Sequence, residues 1–275
     1  AQYPTLDVRA PDTGTFTFHD DHVSIRLAPG PTVTAKLAIA AEGRRSPLRE
    51  QARIGLTKIP YNEYGIVATI AHEKPHDGVA LEQFLPEGPF ARLPMPPSAE
   101  HPHRSAIVWA EGEGRAQRFH DLPHDVFARE IAARLGDEDL GAITPVGRRW
   151  IYPLSAQYAQ SYISKRLALV GDAAHGIHPI AGQGLNIGFR DVISLADLLI
   201  ESHRLGTDPG SRELLVRYQR RTRPGNMAML VATDALERLF GNDNPVLRRL
   251  RDFGIAGVNR ISPLRKAFVK RAMGV

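Results

Sequence analysis

The chain has 275 residues, of which 43% are hydrophobic and 24% charged, with a formal net charge of +5 and no cysteine. That is enough chain for one large domain or two modest ones, and the lack of cysteine excludes disulfides, thiolate metal sites and a cysteine nucleophile, as suits a reducing compartment. No run of about 18 apolar residues occurs, so no segment reads as a membrane span, and no basic stretch followed by an apolar one opens the chain, so no signal peptide is expected.

Residues 15–18 and 23–27 alternate with period two, as half-buried strands do. Ala28-Pro29-Gly30-Pro31 is a turn. Residues 36–41 are a continuous apolar run, as for a strand covered on both faces. It leads into Glu42-Gly43-Arg44-Arg45-Ser46-Pro47-Leu48-Arg49, where Ser46 can cap a short helix with Pro47 at its first position. From Ile59 the texture changes. Strand-like pieces at 65–70, 79–85, 90–95 and 105–109 are separated by Pro, Gly and His. Residues 121–135 read as one amphipathic helix stopped by Gly136. A mostly antiparallel sheet carrying a helix is expected here, and from about residue 153 the chain returns to the first domain.

Residues 166–170 form an apolar strand that ends in Gly171-Asp172. A turn rich in Pro and Gly follows, then a long helix from Gly184. Apolar residues fall on more than one side of that helix, including Leu185, Phe189, Val192, Leu195 and Leu198, so it is expected to be largely buried. Further helices are expected at 212–221, 227–240, 246–253 and 263–272. The basicity is local: Pro245 to Val275 holds eight Lys/Arg and one acid, a charge of +7, and the remainder sums to −2. In that tail an apolar stripe of Leu264, Phe268 and Ala272 lies among Arg265, Lys266, Lys270 and Arg271. A basic amphipathic helix of this kind lies on an anionic membrane surface or docks on a partner; the alternative is packing on the rest of the chain. Aromatic stacking residues are sparse there, so no nucleic acid is expected as a partner.

The chemistry concentrates at 169–191. An acid at a strand end can accept hydrogen bonds from a sugar-like chain, and the glycines let backbone N–H groups approach a planar, electron-rich ligand. A helix N-terminus adds unpaired donors and a partial positive charge. This layout suits a flavin. Gly171-Asp172-Ala-Ala-His175, then Pro179 and Gly182-Gln183-Gly184-Leu185-Asn186, resemble the second flavin motif of the single-component, class A FAD-dependent aromatic hydroxylases. Residues 42–49 resemble that family's Asp-Gly-x-x-Ser-x-x-Arg motif. More narrowly, His178-Pro-Ile-Ala-Gly-Gln-Gly-Leu-Asn186, Phe84-x-Pro-x-Gly-Pro-x-Ala-x-Leu-Pro94 and Ala272-Met-Gly are similar to the ubiquinone-biosynthesis hydroxylases. The resemblance runs from about Phe16 to the C-terminus.

The resemblance implies an α/β fold. An FAD-binding domain (Rossmann-like, glutathione-reductase type) would occupy 1–58 and 153–275, ending in C-terminal helices, and an antiparallel β-sheet substrate domain would occupy 59–152. It implies a flavoprotein monooxygenase that uses O2 and NAD(P)H to hydroxylate a polyprenylated phenol in ubiquinone biosynthesis. Such a protein would be cytoplasmic, with the basic C-terminal region offering a contact to the inner face of the membrane or to other proteins of that pathway. The implied cofactor-binding residues are Gly171, Asp172, Pro179, Gly182, Gln183, Gly184, Leu185, Asn186, Glu42 and Arg49. Asp172 would bond the ribityl chain, and the backbone around 184–186 would face the pyrimidine edge. No protein nucleophile and no metal are expected, because the oxygen chemistry belongs to the flavin.

Two departures from the family pattern shape the expectation. The Gly-x-Gly-x-x-Gly turn that holds the FAD pyrophosphate does not occur in these residues. The FAD domain is therefore expected to be N-terminally incomplete, and these residues to bind FAD weakly or not at all. Glu42 stands where the motif has Asp. The alternatives are a related flavoprotein monooxygenase acting on another substrate and a non-catalytic fragment. His72-Glu-Lys-Pro-His76 matches the zinc pattern H-E-x-x-H, but Pro75 forbids the helix it needs. Arg44, Arg45 and Arg49 read as phosphate contacts or solvated surface, His175 and His178 as structural or substrate-proximal, and Arg190-Asp191 as a local structural pair.

Overall fold

The computed structural model describes residues 3, 5–28, 30–85, 88–179 and 182–240. The helices expected at 246–253 and 263–272, the basic stripe and Ala272-Met-Gly lie outside the described residues, as do Pro29, Pro86, Glu87, Ile180 and Ala181.

The chain opens with β1 (Thr13–Phe18), β2 (Val23–Ala28), β3 (Thr32–Ala35), β4 (Ala38–Ala40) and the short helix α1 (Pro47–Gln51). Then come β5 (Leu56–His72), β6 (Leu81–Leu85), β7 (Gly88–Met95) and β8 (Arg104–Gly112). Two helices, α2 (Glu113–His120) and α3 (His124–Leu135), precede the long β9 (Ile143–Ala159). The last part holds β10 (Ile163–Ser164), β11 (Leu167–Leu169), β12 (His175–Gly176), α4 (Gly184–Leu205) and α5 (Arg212–Phe240). Among the described residues no helix is long and apolar enough to cross a membrane.

The chain divides into two compact units. The first comprises Ala1–Lys58 and Ala156–Ala232. β1, β2 and β3 form an antiparallel sheet in that order, and β11 lies between β10 and a parallel β4. Its core joins Ala38, Ala40 and Leu48 to Leu167, Leu169, Leu195, Leu198, Leu215 and Tyr218. The run at 36–41 is not one strand buried on both faces. It is broken at Lys36, whose carbonyl accepts Nη1 of Arg166 at 2.8 Å, and Ile39 of β4 is 46% exposed. The Arg166 guanidinium also bonds the Asp20 carbonyl and takes Asp208 with two N–H groups, so one buried side chain ties three loops together. The hydrogen bond from Arg166 holds the Asp208 carboxyl below its ordinary range.

The second unit comprises Ile59–Ser155 with the chain from Thr233. Its sheet runs β9-β5-β8-β7-β6. Helices α2 and α3 cover one face, where Trp109 meets Phe90, Phe119 and Phe127 and the Arg134 guanidinium lies 3.8 Å from its ring centroid. The single helix expected at 121–135 is thus two. Pro123 cannot continue a helix from residues before it and biases Leu122 out of helical geometry, so α3 starts just beyond it. Gly112 at its N-cap and Gly114 inside its first turn masked α2. β9 begins at Ile143, and the first unit resumes at Ala156, against a return expected at about 153.

Two further expectations need correction. α5 is one helix where two were expected, with Pro224 inside it. The proline deletes one backbone donor, but Tyr218, Thr222, Asn226 and Leu230 keep a buried stripe running past it. α4 is buried along one stripe only, Ile187, Asp191, Ser194, Leu195, Leu198 and Ser202. Leu185, Phe189, Val192, Ile193 and Ile200 are exposed among the described residues.

Candidate cofactor site

Two turns of the first unit, far apart in sequence, are stitched together. The first follows β4. Ser46 caps α1 by accepting the Arg49 N–H at 3.1 Å, with Pro47 in the opening turn. Glu42 closes this turn from outside: its Oε2 accepts the Ser46 hydroxyl at 2.5 Å and the Leu48 N–H at 3.1 Å. Arg49 is buried, and its Nη1 donates to the Ala173 carbonyl at 3.0 Å, 124 residues away, while Nη2 donates to the Arg44 carbonyl at 3.1 Å.

The second turn follows β11. Gly171 sits at φ +56°, where a residue with a Cβ is strained. A Cβ on Gly188 of α4 would come within 3.4 Å of the Gly171 Cα, so the absence of side chains lets turn and helix touch. Gln157 Nε2 donates to both the Arg44 carbonyl (3.1 Å) and the Asp172 carbonyl (3.2 Å). Arg44 Nη1 lies 4.0 Å from the Asp172 carboxylate, which remains 43% exposed. The structure therefore brings Glu42 to Arg49 together with Gly171 to Ala173.

Beyond this joint Pro179 is exposed, Gly182 turns the chain at φ +59°, and Gln183 precedes α4 without a side-chain cap to it. Asn186 Nδ2 donates to Gln183 Oε1 at 3.3 Å. The first N–H groups of a helix have no acceptor within it. At Gly184 a Cβ would meet nothing within 4 Å, so internal packing does not demand a glycine there. That open space beside a helix N-terminus, together with the half-exposed Asp172 carboxylate, fits a flavin whose ring edge wants donors and whose ribityl chain wants an acceptor. A cavity of about 580 Å³ in the same unit, lined by Ser161, Lys165, Arg166, Asp208, Arg212 and Gln219, includes none of these residues.

Sequence reasoning missed Gln157 and the distant partners of Asp191, which it read as structural through local pairing with Arg190. Asp191 is structural, fully buried, and accepts Gly171 N–H at 3.1 Å, His175 Nε2–H at 2.6 Å and Asn226 Nδ2–H at 2.8 Å. Helical spacing was the available signal, because Asp191 falls on the inward stripe of Ile187, Ser194 and Leu198. His72 closes β5 and His76 lies in the following turn, so the H-E-x-x-H match is not helical. His72 Nδ1 donates to the Lys74 carbonyl at 2.7 Å and Nε2 accepts the Ser105 hydroxyl at 2.9 Å. Burial holds the His72 imidazole below its ordinary pKa.

Residues 12–233 match the FAD binding domain family. Ubiquinone hydroxylase UbiL of Rhodospirillum rubrum is 47% identical over 272 residues, covering 98% of this chain and 62% of its own. The 3-demethoxyubiquinol 3-hydroxylase of Escherichia coli is 34% identical over 257 residues, covering 94% of this chain and 64% of its own. This chain thus spans less than two thirds of the length of these relatives. The crystal structure of p-nitrophenol 4-monooxygenase PnpA from Pseudomonas putida superposes with a TM-score of 0.75 at 18% identity, over 98% of this chain and 68% of PnpA, and shares the fold. A family match over residues 12–233 and a Glu42–Arg49 turn bonded to the Gly171–Ala173 turn agree, and the chain belongs to the FAD binding domain family.

Proposed function

We propose that the protein is part of an FAD-dependent monooxygenase that hydroxylates the aromatic ring of a polyprenylated phenol in ubiquinone biosynthesis, with O2 and NAD(P)H as co-substrates. The observation that carries the reading is the joint between the 42–49 and 171–173 turns, made by Arg49, Gln157 and Arg44. The two ubiquinone-pathway hydroxylases among the relatives supply the substrate class. In this reading the first unit holds FAD and residues 59–152 supply the substrate sheet.

When bound, FAD supplies the redox and oxygen chemistry. The chain's own residues bind and orient it. Asp172 accepts hydrogen bonds from the ribityl hydroxyls. The N–H groups of Gly184, Leu185 and Asn186 donate to the pyrimidine edge, where reduced flavin carries negative charge. Gly182 and Gln183 shape the approach to that helix end, and Pro179 flanks the ring. Glu42 and Arg49 act by fixing the backbone around Arg44 and Ala173. The basic C-terminal region meets an anionic membrane surface, where a polyprenylated substrate resides.

The test is incubation of the FAD-loaded protein with NADH or NADPH, O2 and a short-chain polyprenylated phenol. The expected product is the phenol heavier by one oxygen atom, found by mass spectrometry. NAD(P)H oxidation that never depends on a phenol, with no oxygenated product, rejects the proposal.

A further inference from the structure

We propose that Asp191, which does not belong to the flavin-contacting set, is a positioning residue: its buried carboxylate fixes the Gly171-Asp172 backbone and so sets flavin affinity through Asp172. The proposal rests on the flavin reading of the site.

Three elements converge on this one carboxylate. Oδ2 accepts Gly171 N–H at the strand end and His175 Nε2–H at the start of β12; Oδ1 accepts Asn226 Nδ2–H from α5. Because Oδ2 only accepts, His175 must carry its proton on Nε2. The Tyr162 ring packs on His175 at 5.7 Å between centroids, closing the cluster from the core side. A carboxylate that is wholly buried survives only when such donors replace water.

Among the described residues the Asp172 side chain has no comparable support. Its ion pair with Arg44 is 4.0 Å long and about 40% exposed on each side (37% and 43%), a pair that water and salt screen readily. What aims Asp172 is therefore its backbone. That backbone is held on one side by Gln157 at the Asp172 carbonyl and on the other by Asp191 at the Gly171 N–H. Gly171, at φ +56° and with no side chain, resists nothing by itself. Loss of the Asp191 acceptor releases the turn that carries the ribityl ligand.

The test compares the wild-type protein with Asp191→Asn, Asp172→Ala and the double variant, using two readouts. The first is amide hydrogen exchange at Gly171 in the flavin-free protein. The second is affinity for FAD and riboflavin, from quenching of flavin fluorescence. An amide at 191 keeps the shape but loses the charge, and only one of its two ends can still accept. Asp191→Asn is expected to speed exchange at Gly171 and to weaken flavin binding, each by about tenfold, while Asp172→Ala leaves the Gly171 exchange unchanged. In the Asp172→Ala background Asp191→Asn should weaken flavin binding no further. Unchanged Gly171 exchange, unchanged affinity, or losses that multiply in the double variant overturn the proposal alone. Should Asp191→Asn unfold, Asn226→Ala, which withdraws only the α5 donor, must still raise Gly171 exchange; if it does not, the proposal is overturned. Wild-type protein that protects Gly171 yet takes up neither FAD nor riboflavin, even with flavin at its solubility limit, overturns the flavin reading and this proposal with it.

Discussion

At the scale of single residues, two buried polar side chains carry effects out of proportion to their size. Arg49 spends two guanidinium nitrogens on carbonyls of the two turns that make the site. A lysine there has one compact ammonium and cannot span both carbonyls. Arg49→Lys is expected to cost about 1–3 kcal/mol of stability, the range for leaving a buried partner unsatisfied, and to weaken FAD binding; denaturant unfolding and flavin titration measure the two. His72 is buried as the neutral ring, donating from Nδ1 and accepting at Nε2. Its pKa is lowered from 6.5 chiefly by burial, so its contribution to stability is complete above that value and is lost as the pH falls through 6.5 toward the folded pKa. Thermal unfolding should show the wild-type midpoint dropping as the pH falls below about 6.5. His72→Gln, which does not titrate, should flatten that drop; an equal drop in both proteins contradicts the assignment.

At the scale of elements, helix ends and breaks depend on competition between local chemistry and burial. The α1 cap was legible because Ser46 and Pro47 act on their own neighbours. The break at Pro123 prevails because nothing buried bridges residues 121–123 strongly enough to resist it. Pro224 fails to break α5 because a buried stripe continues on both sides of it. A proline inside a helix still costs on the order of 3 kcal/mol. Pro224→Ala should therefore raise the unfolding temperature, by about 2–4 °C for each kcal/mol recovered in a chain of this size. A fall in the scanning-calorimetry midpoint would mean the proline ring itself packs productively.

At the scale of the whole molecule, charge is segregated: the segment from Pro245 carries +7 and the remainder −2. Co-sedimentation should find the full chain on anionic vesicles at low salt and released as salt rises, since surface attraction is worth about 1 kcal/mol per Lys/Arg and decays over a Debye length. A chain ending at residue 240 should stay in solution. Binding that ignores salt, or persists in the shortened chain, removes the basic region from the explanation.

The sequence by itself determined what nearest neighbours decide: the glycine turn after a strand, the capped α1, the start of a helix at Gly184, and the antiparallel texture after Ile59. The turns, the cap and the helix start rest on backbone dihedrals and hydrogen bonds within a few residues; the strand texture shows only as alternation, since β5 pairs with β8 over separations of tens of residues. Only the tertiary structure decided that Asp191 is a buried acceptor for partners 16 to 35 residues away, that Arg49 reaches a carbonyl 124 residues on, and that α4 buries a single stripe. Burial and partner choice for a polar side chain depend on which distant backbone arrives beside it, and no local spacing encodes that arrival.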